Sequence, residues 1–485
     1  MNTSKPYKKV LYNTSLLTVM QVTGDSTGLI LYVVLSRYFG PEGIGLYAFG
    51  MSIALIAFYF INSGFDDYGI RECSLLPQIE RNILIGKIVV VQLLLLMVTL
   101  IIFIPFIFAA KLQVESIIIV SSILINMILL AFSKTFFISF NSQERMVLPA
   151  LAELSMKILN VATASIAIIF FKTQIYIALL PYVLFGILIL VLAVFSSRKI
   201  NGKLNLNFKL NSSISLIKTV WPFSASLMIH SLYTRVGVII LTLLLGSAAA
   251  GIFAPAQKFL EVAQMPIVFF GFSVYPVLSK YYKHNIEKFN DSVEKFFRLV
   301  FIIASILLWI LYYIVPLLIV PILGGKFTPS IEIIKLFAFL IFFGSFTVGF
   351  HKLLLSANLQ VLRTKAQFLA LIVNLIASFS LIPLLGTKGA VISLIISDVT
   401  MNFLFIYILK KKSFLLFKKL VKAFGQFLIS FLIAIFAAIA LKYLTISDLY
   451  GMLAVFLLFA FGIYATGFIS KLNVKFNNPM NMITK

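Results

Sequence analysis

The stretch IVVVQLLLLMVTLIIFIPFIF, residues 88–108, is apolar along nearly its whole length. Similar runs cover residues 368–385 and 427–441. A helix of about 20 apolar residues crosses the hydrocarbon core of a bilayer. A membrane-spanning β-strand instead alternates apolar and polar residues, and these runs do not alternate. The stretch therefore predicts a transmembrane helix.

The composition extends this prediction to the whole chain. Of its 485 residues, 61% are hydrophobic and 12% are charged, whereas soluble domains are about 45–50% apolar and about 25% charged. We therefore predict an all-α polytopic membrane protein with about fourteen transmembrane helices. Charged residues, prolines and glycines separate the predicted spans, which cover residues 10–38, 43–65, 83–109, 115–141, 148–171, 175–195, 216–245, 251–279, 298–320, 331–357, 364–385, 388–409, 420–442 and 449–470.

The distribution of basic residues predicts the orientation of the spans. Cytoplasmic loops carry an excess of Lys and Arg, and most of the 40 such residues are inside if both termini are inside. The outside loops then hold Arg37, Lys111, Lys172, Lys326, Lys388 and Lys442. We therefore predict a protein of the cytoplasmic membrane with both termini inside. The net charge of +24 favours contact with anionic lipid rather than nucleic acid, because it is spread over many short loops.

A polar segment near the middle divides the chain. Residues 196–215, SSRKINGKLNLNFKLNSSIS, form its longest polar stretch. We predict an N-lobe over residues 1–195, a cytoplasmic linker over 196–215, a C-lobe over 216–412, and a final helix pair with the tail over 413–485. The basic segment 280–298 predicts an amphipathic helix on the inside surface of the membrane.

The two lobes share a short sequence repeat. Residues 32–48 read YVVLSRYFGPEGIGLYA, and residues 238–254, which lie 206 positions later, read VIILTLLLGSAAAGIFA. The shift aligns Gly40 with Gly246 and Gly45 with Gly251. Because six predicted spans separate the two copies, we predict a parallel repeat whose halves enclose a central cavity and open it to each side in turn. A chance similarity of two glycine turns is the alternative.

Four motifs rich in Gly, Pro and aromatic residues lie at the ends of predicted spans. They are SRYFGPEGIGLYAF at 36–49, YPVLSKYYKHN at 275–285, ILGGKFTPSIEIIKLFA at 322–338 and IPLLGTKGAVISLIISD at 382–398. In order and spacing they resemble the polysaccharide-transporter branch of the multidrug/oligosaccharidyl-lipid/polysaccharide (MOP) exporter superfamily. This branch includes the O-antigen and capsule flippases. The resemblance extends from residue 10 to about residue 410.

The resemblance implies two six-helix lobes in a V around an amphiphilic lumen. It also implies a flippase that moves an undecaprenyl-diphosphate-linked oligosaccharide, the repeat unit of O-antigen, capsule or exopolysaccharide, to the outer leaflet. The last two helices are similar to an extra pair that forms a groove for the lipid tail in some members. The implied protein partners are a polymerase and glycosyltransferases of the same pathway, and no cofactor is implied.

The first span carries a stripe of polar positions. They are spaced three or four residues apart and so share one helix face: Thr14, Thr18, Gln21, Asp25, Gly28 and Tyr32. The span at 216–245 repeats the pattern with Ser224, Ser231, Arg235 and Thr242. The 206-residue shift places Asp25 on Ser231. We predict that both stripes line the lumen, and polar contacts between helices of one lobe are the alternative.

Charges inside the spans are candidates for function, because they are costly in a bilayer. A diphosphate cargo requires cations, and we predict that Lys134, Arg235 and Lys258 lie on its path. Arg235 and Glu261 both lie about 15 Å below the same predicted outside turn. An ion pair between them is therefore an equally strong interpretation. Lys134 has no such partner on its own span, which favours the phosphate role.

Other charged positions have simpler interpretations. Glu153 and Lys157 are spaced i, i+4 and predict a local ion pair. Lys352 lies near an inside helix end, where a lysine extends its ammonium to the interface. Asn374 and Asp398 lie near mid-membrane on neighbouring spans. They predict either a site for a coupling cation or a buried hydrogen-bonded pair.

The sequence gives little support to other function classes. It has no P-loop motif, so we predict no ATPase activity. Its three histidines lack metal-ligand spacing, and the one cysteine, Cys73, excludes an intrachain disulfide. One alternative is a drug or small-molecule exporter of the same superfamily. Another is a membrane sugar polymerase or transferase, which would carry a large outside loop. We predict a transporter rather than an enzyme.

Overall fold

The computed structural model describes residues 4–202, 210–412, 414–443, 448–466 and 468. Within these ranges the chain is helical and contains no strand. The helices are α1 Ser4–Asn62, α2 Phe65–Cys73, α3 Gln78–Ala109, α4 Val114–Asn141, α5 Val147–Ile169, α6 Ile175–Ala178, α7 Pro181–Asn201, α8 Leu210–Leu245, α9 Ser247–His284, α10 Ile286–Trp309, α11 Val315–Leu323, α12 Ser330–Ser356, α13 Gln360–Leu385, α14 Thr387–Lys412, α15 Phe414–Tyr443 and α16 Asp448–Ala465. A π-helix, Ile310–Ile314, joins α10 to α11, and a 3-10 turn, Gly325–Phe327, follows α11.

This architecture confirms the predicted all-α polytopic class. Among the described residues, 11 helical segments are long and apolar enough to cross a membrane. The first of them, Ser26–Cys73, includes parts of two predicted spans. Those spans are joined within α1, where Gly40 has φ 65 and ψ −159 and interrupts the helical conformation. Pro41 follows directly, and it lacks the N–H that an unbroken helix would need.

The repeated glycines lie at equivalent breaks in the chain. Gly40 and Gly246 both have positive φ, 65 and 88, a conformation that glycine adopts without steric cost. Gly45 and Gly251 lie five residues after these breaks and bring the two turns into backbone contact. A Cβ on Gly45 would overlap the carbonyl of Ser247 and lie 2.9 Å from the nitrogen of Gly251.

The contact is reciprocal. A Cβ on Gly251 would overlap the carbonyl of Pro41 and lie 2.9 Å from its Cα. Pro41 and Ser247 are themselves 206 residues apart, so the shift found in the sequence relates both sides of the contact. This agreement supports the predicted repeat over a chance similarity of glycine turns.

Two parts of the fold differ from the sequence prediction. The short helix α2 was not expected, because its sequence FDDYGIREC is too polar to be a span. The separate surface helix predicted at 280–298 is wrong. Instead, α9 continues to His284, the side chain of Asn285 accepts a hydrogen bond from the Lys288 nitrogen, and α10 begins directly as the start of the next span. Buried Phe289, Val293 and Phe296 give this helix an apolar face from its first turns.

The chain divides into two compact units. Unit 1 comprises Met1–Lys258, Ile319–Ser330 and Asn374–Ser393, and unit 2 comprises Phe259–Leu318, Ile331–Val373 and Leu394–Lys485. In unit 1, α4 packs between α1 and α7. Unit 2 has an aromatic core in which the rings of Phe342, Phe427 and Phe431 stack on one another at centroid distances of 5.2–5.6 Å. The predicted lobe and linker boundaries stay predictions.

Candidate functional site

A cluster of charged side chains lies within unit 1. The Lys134 ammonium on α4 is 3.3 Å from Glu153 Oε2 on α5. The other carboxylate oxygen of Glu153 is 3.5 Å from the Lys157 ammonium, one turn further along α5. All three side chains are about one-third exposed or less, at 31%, 31% and 27%. One carboxylate is therefore shared by two lysines, and the three charges sum to +1.

The cluster confirms one predicted contact and changes the interpretation of another. The Glu153–Lys157 pair forms as its i, i+4 spacing predicts. Lys134 has no acidic partner at helical spacing on α4, as predicted, but helix packing brings Glu153 to it from α5. The spacing of residues along α4 carries no information about this partner, because it lies on another helix. The role of Lys134 on a substrate path stays a prediction.

Two further side chains extend the cluster onto α1 and α2. The amide of Asn62, at the end of α1, donates a hydrogen bond of 3.0 Å to Asp66 Oδ2, in the first turn of α2. The charges that act on Asp66 include those of Lys134 and Glu153. On α1, a Cβ added to Gly24 would lie 3.0 Å from Lys157 Cδ, so the lysine stem packs against this glycine.

The polar stripe of the first span is only partly described. Thr14, Thr18, Gln21 and Asp25 lie in α1, but their side chains lie outside the described part of the structure. A Cβ on Gly28 would meet no atom within 4 Å, so the surface of α1 is open at this position. The Tyr32 ring packs edge-on against Tyr47 at a centroid distance of 5.8 Å. The lumenal position of the stripe stays a prediction.

The corresponding stripe on α8 contains mostly satisfied side chains. The Ser224 hydroxyl donates to the carbonyl of Ser63 at the end of α1, and the Thr242 hydroxyl donates to the Val238 carbonyl at 2.9 Å. The Ser224 bond joins residues of the two predicted lobes, and the Thr242 bond lies within α8, so neither is the contact between helices of one lobe that the alternative predicts. The lumenal position of this stripe stays a prediction. Ser231 is buried, and its hydroxyl has no hydrogen-bond partner in the described part of the chain.

The remaining cationic candidates are half-buried in unit 1. Arg235 lies on α8 and Lys258 on α9, and both make interactions in the structure, as does Glu261. Their place on a cargo path, and the alternative pairing of Arg235 with Glu261, stay predictions.

The two residues of the predicted coupling-cation site belong to different units. Asn374 is fully buried in unit 1, where its amide donates to the Tyr233 carbonyl at 3.0 Å and its oxygen accepts from Ser378 at 3.2 Å. Both ends of this amide are therefore engaged. Asp398 is 5% exposed in unit 2, and its backbone carbonyl accepts a 2.8 Å bond from Asn402. The cation site stays a prediction.

Unit 2 contains two cations whose surroundings the sequence did not reveal. The Lys352 ammonium lies 3.4 Å from the centroid of the Phe272 ring, a close cation–π contact. Arg298 is completely buried on α10, although the sequence predicts it at the end of a surface helix. Its guanidinium contacts Glu294 at 2.8 Å and Gln426 at 3.0 Å, and it lies 4.7 Å from the Phe468 ring centroid. This arginine joins α10 to the last helix pair. No sequence spacing could have identified these distant partners.

No metal centre is formed by the residues that the structure describes. Among them, no group of three or more His, Cys, Asp and Glu side chains is arranged to hold a metal ion.

The buried polar contacts between α3 and α4, such as the 2.9 Å bond from the Thr135 hydroxyl to Gln92, are hydrogen-bonded internally. They serve packing between helices.

Comparison with known proteins identifies the family of this chain. Over residues 10–282, more than half of the chain, the sequence matches the family described as "Polysaccharide biosynthesis protein". The chain belongs to this family. A relative from Shigella dysenteriae, named "Putative O-antigen transporter", is 26% identical over 212 residues, which are 43% of this chain and 52% of that protein. The match thus spans about half the length of the relative.

Solved structures of a flippase and of a multidrug transporter share the fold. A structure titled "Lipid II flippase MurJ, inward closed conformation" is similar with a TM-score of 0.69 at 16% identity, over 94% of this chain and 98% of that one. An inward-facing multidrug resistance MATE family transporter of the MOP superfamily has a TM-score of 0.53 at 13% identity, over 82% and 96% of the two chains. Together with the family, these likenesses confirm the predicted resemblance to polysaccharide transporters of the MOP superfamily.

Proposed function

We propose that the protein is a flippase of the cytoplasmic membrane, with both termini inside. It moves an undecaprenyl-diphosphate-linked oligosaccharide, a repeat unit of O-antigen, capsule or exopolysaccharide, to the outer leaflet by alternating access. The observation that carries the proposal is the Lys134–Glu153–Lys157 cluster, in a chain of the polysaccharide biosynthesis family. The cluster has an excess positive charge, which attracts an anionic headgroup, and it is incompletely buried, so a headgroup can reach it.

The charge of the cluster suits a diphosphate better than a neutral sugar. Each lysine presents three N–H donors, and Glu153 accepts from both lysines through its two oxygens. A diphosphate that approaches from the exposed side supplies several further charged acceptors. The lysines therefore exchange part of their contact with Glu153 for contact with the cargo, and no covalent step is required.

Unit 2 offers an apolar surface that suits a lipid tail. A cavity of about 250 Å³ lies among α10, α12, α14 and α15. Its walls are almost wholly apolar and include Phe301, Phe346, Phe403 and Phe424. A polyprenyl chain gains free energy by exchanging water or looser contacts for such a surface. We propose that part of the tail packs here while the headgroup crosses, and that polymerase and glycosyltransferases of the same pathway consume and supply the cargo.

The experiment measures translocation of a lipid-linked oligosaccharide in proteoliposomes. Lys134→Ala, Arg235→Ala and Lys258→Ala are each expected to lower the rate while the amount of folded protein stays near that of the wild type. Lys365→Ala, which removes an exposed lysine at the start of α13, is the matched control and is expected to transport normally. Wild-type rates in all three test variants would contradict the proposed cationic path.

A further inference from the structure

The junction of α1 and α2 holds two buried oxygen atoms for which the described residues provide no hydrogen-bond donor. They are Oδ1 of Asn62 and Oδ1 of Asp66. Ser63 and Gly64 connect the helices with positive φ values of 44 and 67. This tight connection brings the two side chains together, and the Asn62 amide donates to Asp66 Oδ2 at 3.0 Å.

When Asp66 is ionised, the Asn62–Asp66 pair has two acceptor oxygens without a hydrogen-bond donor. An ionised carboxylate has acceptors only, and the amide oxygen of Asn62 is also an acceptor. A buried acceptor without a donor costs free energy comparable to a lost hydrogen bond. A proton bound to Asp66 Oδ1 converts that atom to a donor, and Asn62 Oδ1 is an acceptor on the same amide that already contacts the carboxyl group. One proton on Asp66 Oδ1 therefore gives both oxygen atoms a hydrogen-bond partner.

Some of the charges around Asp66 favour its ionised form, and others favour its protonated form. Among the described residues, those that act on Asp66 are Lys134 in α4, Asp67 in its own helix and Glu153 in α5. Lys134 favours the ionised form, but its ion pair is with Glu153. Asp67 and Glu153 are negative and favour the protonated form of Asp66.

We propose that Asp66, together with Asn62, is a proton-binding site that sets the charge of the Lys134–Glu153–Lys157 cluster. With Asp66 ionised, two lysines and two carboxylates balance. When Asp66 takes a proton from the inside aqueous phase, one positive charge is left for an anion. Proton binding and anion binding therefore strengthen each other, and by linkage the effect is reciprocal. The part of this inference that concerns anions rests on the proposed function, whereas proton binding does not.

Infrared spectroscopy of the purified protein tests proton binding directly. A protonated carboxylic acid has a carbonyl stretch that is separate from the bands of carboxylates and amides. The wild type and Asp67→Asn are expected to show this band, and to lose it as pH rises, while Asp66→Asn lacks it. Asn62→Ala is expected to shift the band, because the acid loses its amide acceptor. Identical spectra for the wild type and Asp66→Asn over the whole pH range would overturn the proposal.

Binding of inorganic pyrophosphate tests the link to anions. Asp66→Asn keeps the side chain neutral, so it is expected to bind as tightly as the wild type at low pH and about tenfold more tightly at high pH. Asp67→Asn, which changes the exposed neighbour, is expected to follow the wild type. Equal affinities of the wild type and Asp66→Asn at high pH would overturn the link. A protein that binds no pyrophosphate at any pH overturns the proposed cargo, and the infrared band still decides proton binding.

Discussion

Gly45 and Gly251 face each other across two equivalent turns, and each excludes a side chain because the backbone of the other turn occupies the space. Two parts of the chain that are 206 residues apart thus meet at the same point of the repeat. Under the predicted topology this point is at the outside end of both lobes. The contact joins the two halves of the repeat within unit 1, and it requires glycine at both positions.

Substitution of either glycine is expected to destabilise the protein. Gly45→Ala or Gly251→Ala forces a methyl group into backbone atoms, and overpacking of this kind costs about 1–3 kcal/mol. The measurement is the thermal unfolding midpoint of the purified protein in detergent. Gly237→Ala in α8 is the matched control, because its Cβ would make only an ordinary 3.8 Å contact with Phe253. Equal midpoints for all three variants would show that the two turns do not pack as described.

The attachment of the last helix pair is expected to depend on Arg298. Arg298→Ala leaves Glu294 without its buried partner and removes the bond to Gln426, and breaking a buried pair costs about 3–5 kcal/mol. Lys419→Ala removes a more exposed ion pair to Asp291, again between α10 and α15. Its cost is expected to be below about 1 kcal/mol. The unfolding midpoints of the two variants test this order, and a larger loss in Lys419→Ala would contradict it.

Single cysteines test the predicted topology. In a Cys73→Ser background, a cysteine in the linker 196–215 or in the segment 280–285 is expected to react only with a reagent that reaches the inside. A cysteine at Ala248, in the turn between the two repeated glycines of the C-lobe, is expected to react from outside. The bias of Lys and Arg between the two sets of loops is the physical reason. Outside labelling of the linker would overturn the orientation of both lobes.

The two interpretations of Arg235, an ion pair with Glu261 or contact with cargo, predict different behaviour for the double variant Arg235→Ala with Glu261→Ala. If the residues mainly neutralise each other, Arg235→Ala alone leaves an uncompensated buried charge. Adding Glu261→Ala to that variant then restores folding. We expect the double variant to reach normal abundance and to lack transport, because Arg235 shares a helix face with the polar stripe on α8. Abundance is measured by quantitative immunoblotting and transport in proteoliposomes. Full transport by the double variant would exclude a role for Arg235 in binding cargo.

Much of the fold follows from local sequence. Apolar run length and charged interruptions predicted the helices, because a helix in lipid satisfies its own backbone. Gly40 and Gly246 were recognised as turns, since positive φ favours glycine. The segment 280–298 was misassigned because its basic residues mask an apolar face that is buried only when α10 packs into unit 2.

The sequence by itself determined the membrane class, the family and the repeat, because composition and periodicity are properties of single helices and their order. Tertiary structure decided which charges meet. Glu153 shares its carboxylate between Lys157, at helical spacing, and Lys134, on another helix. Arg298 is a buried link between helices rather than a surface cation. Both outcomes depend on the rotation and packing of helices far apart in the chain, and the spacing of residues along one helix carries no information about that packing.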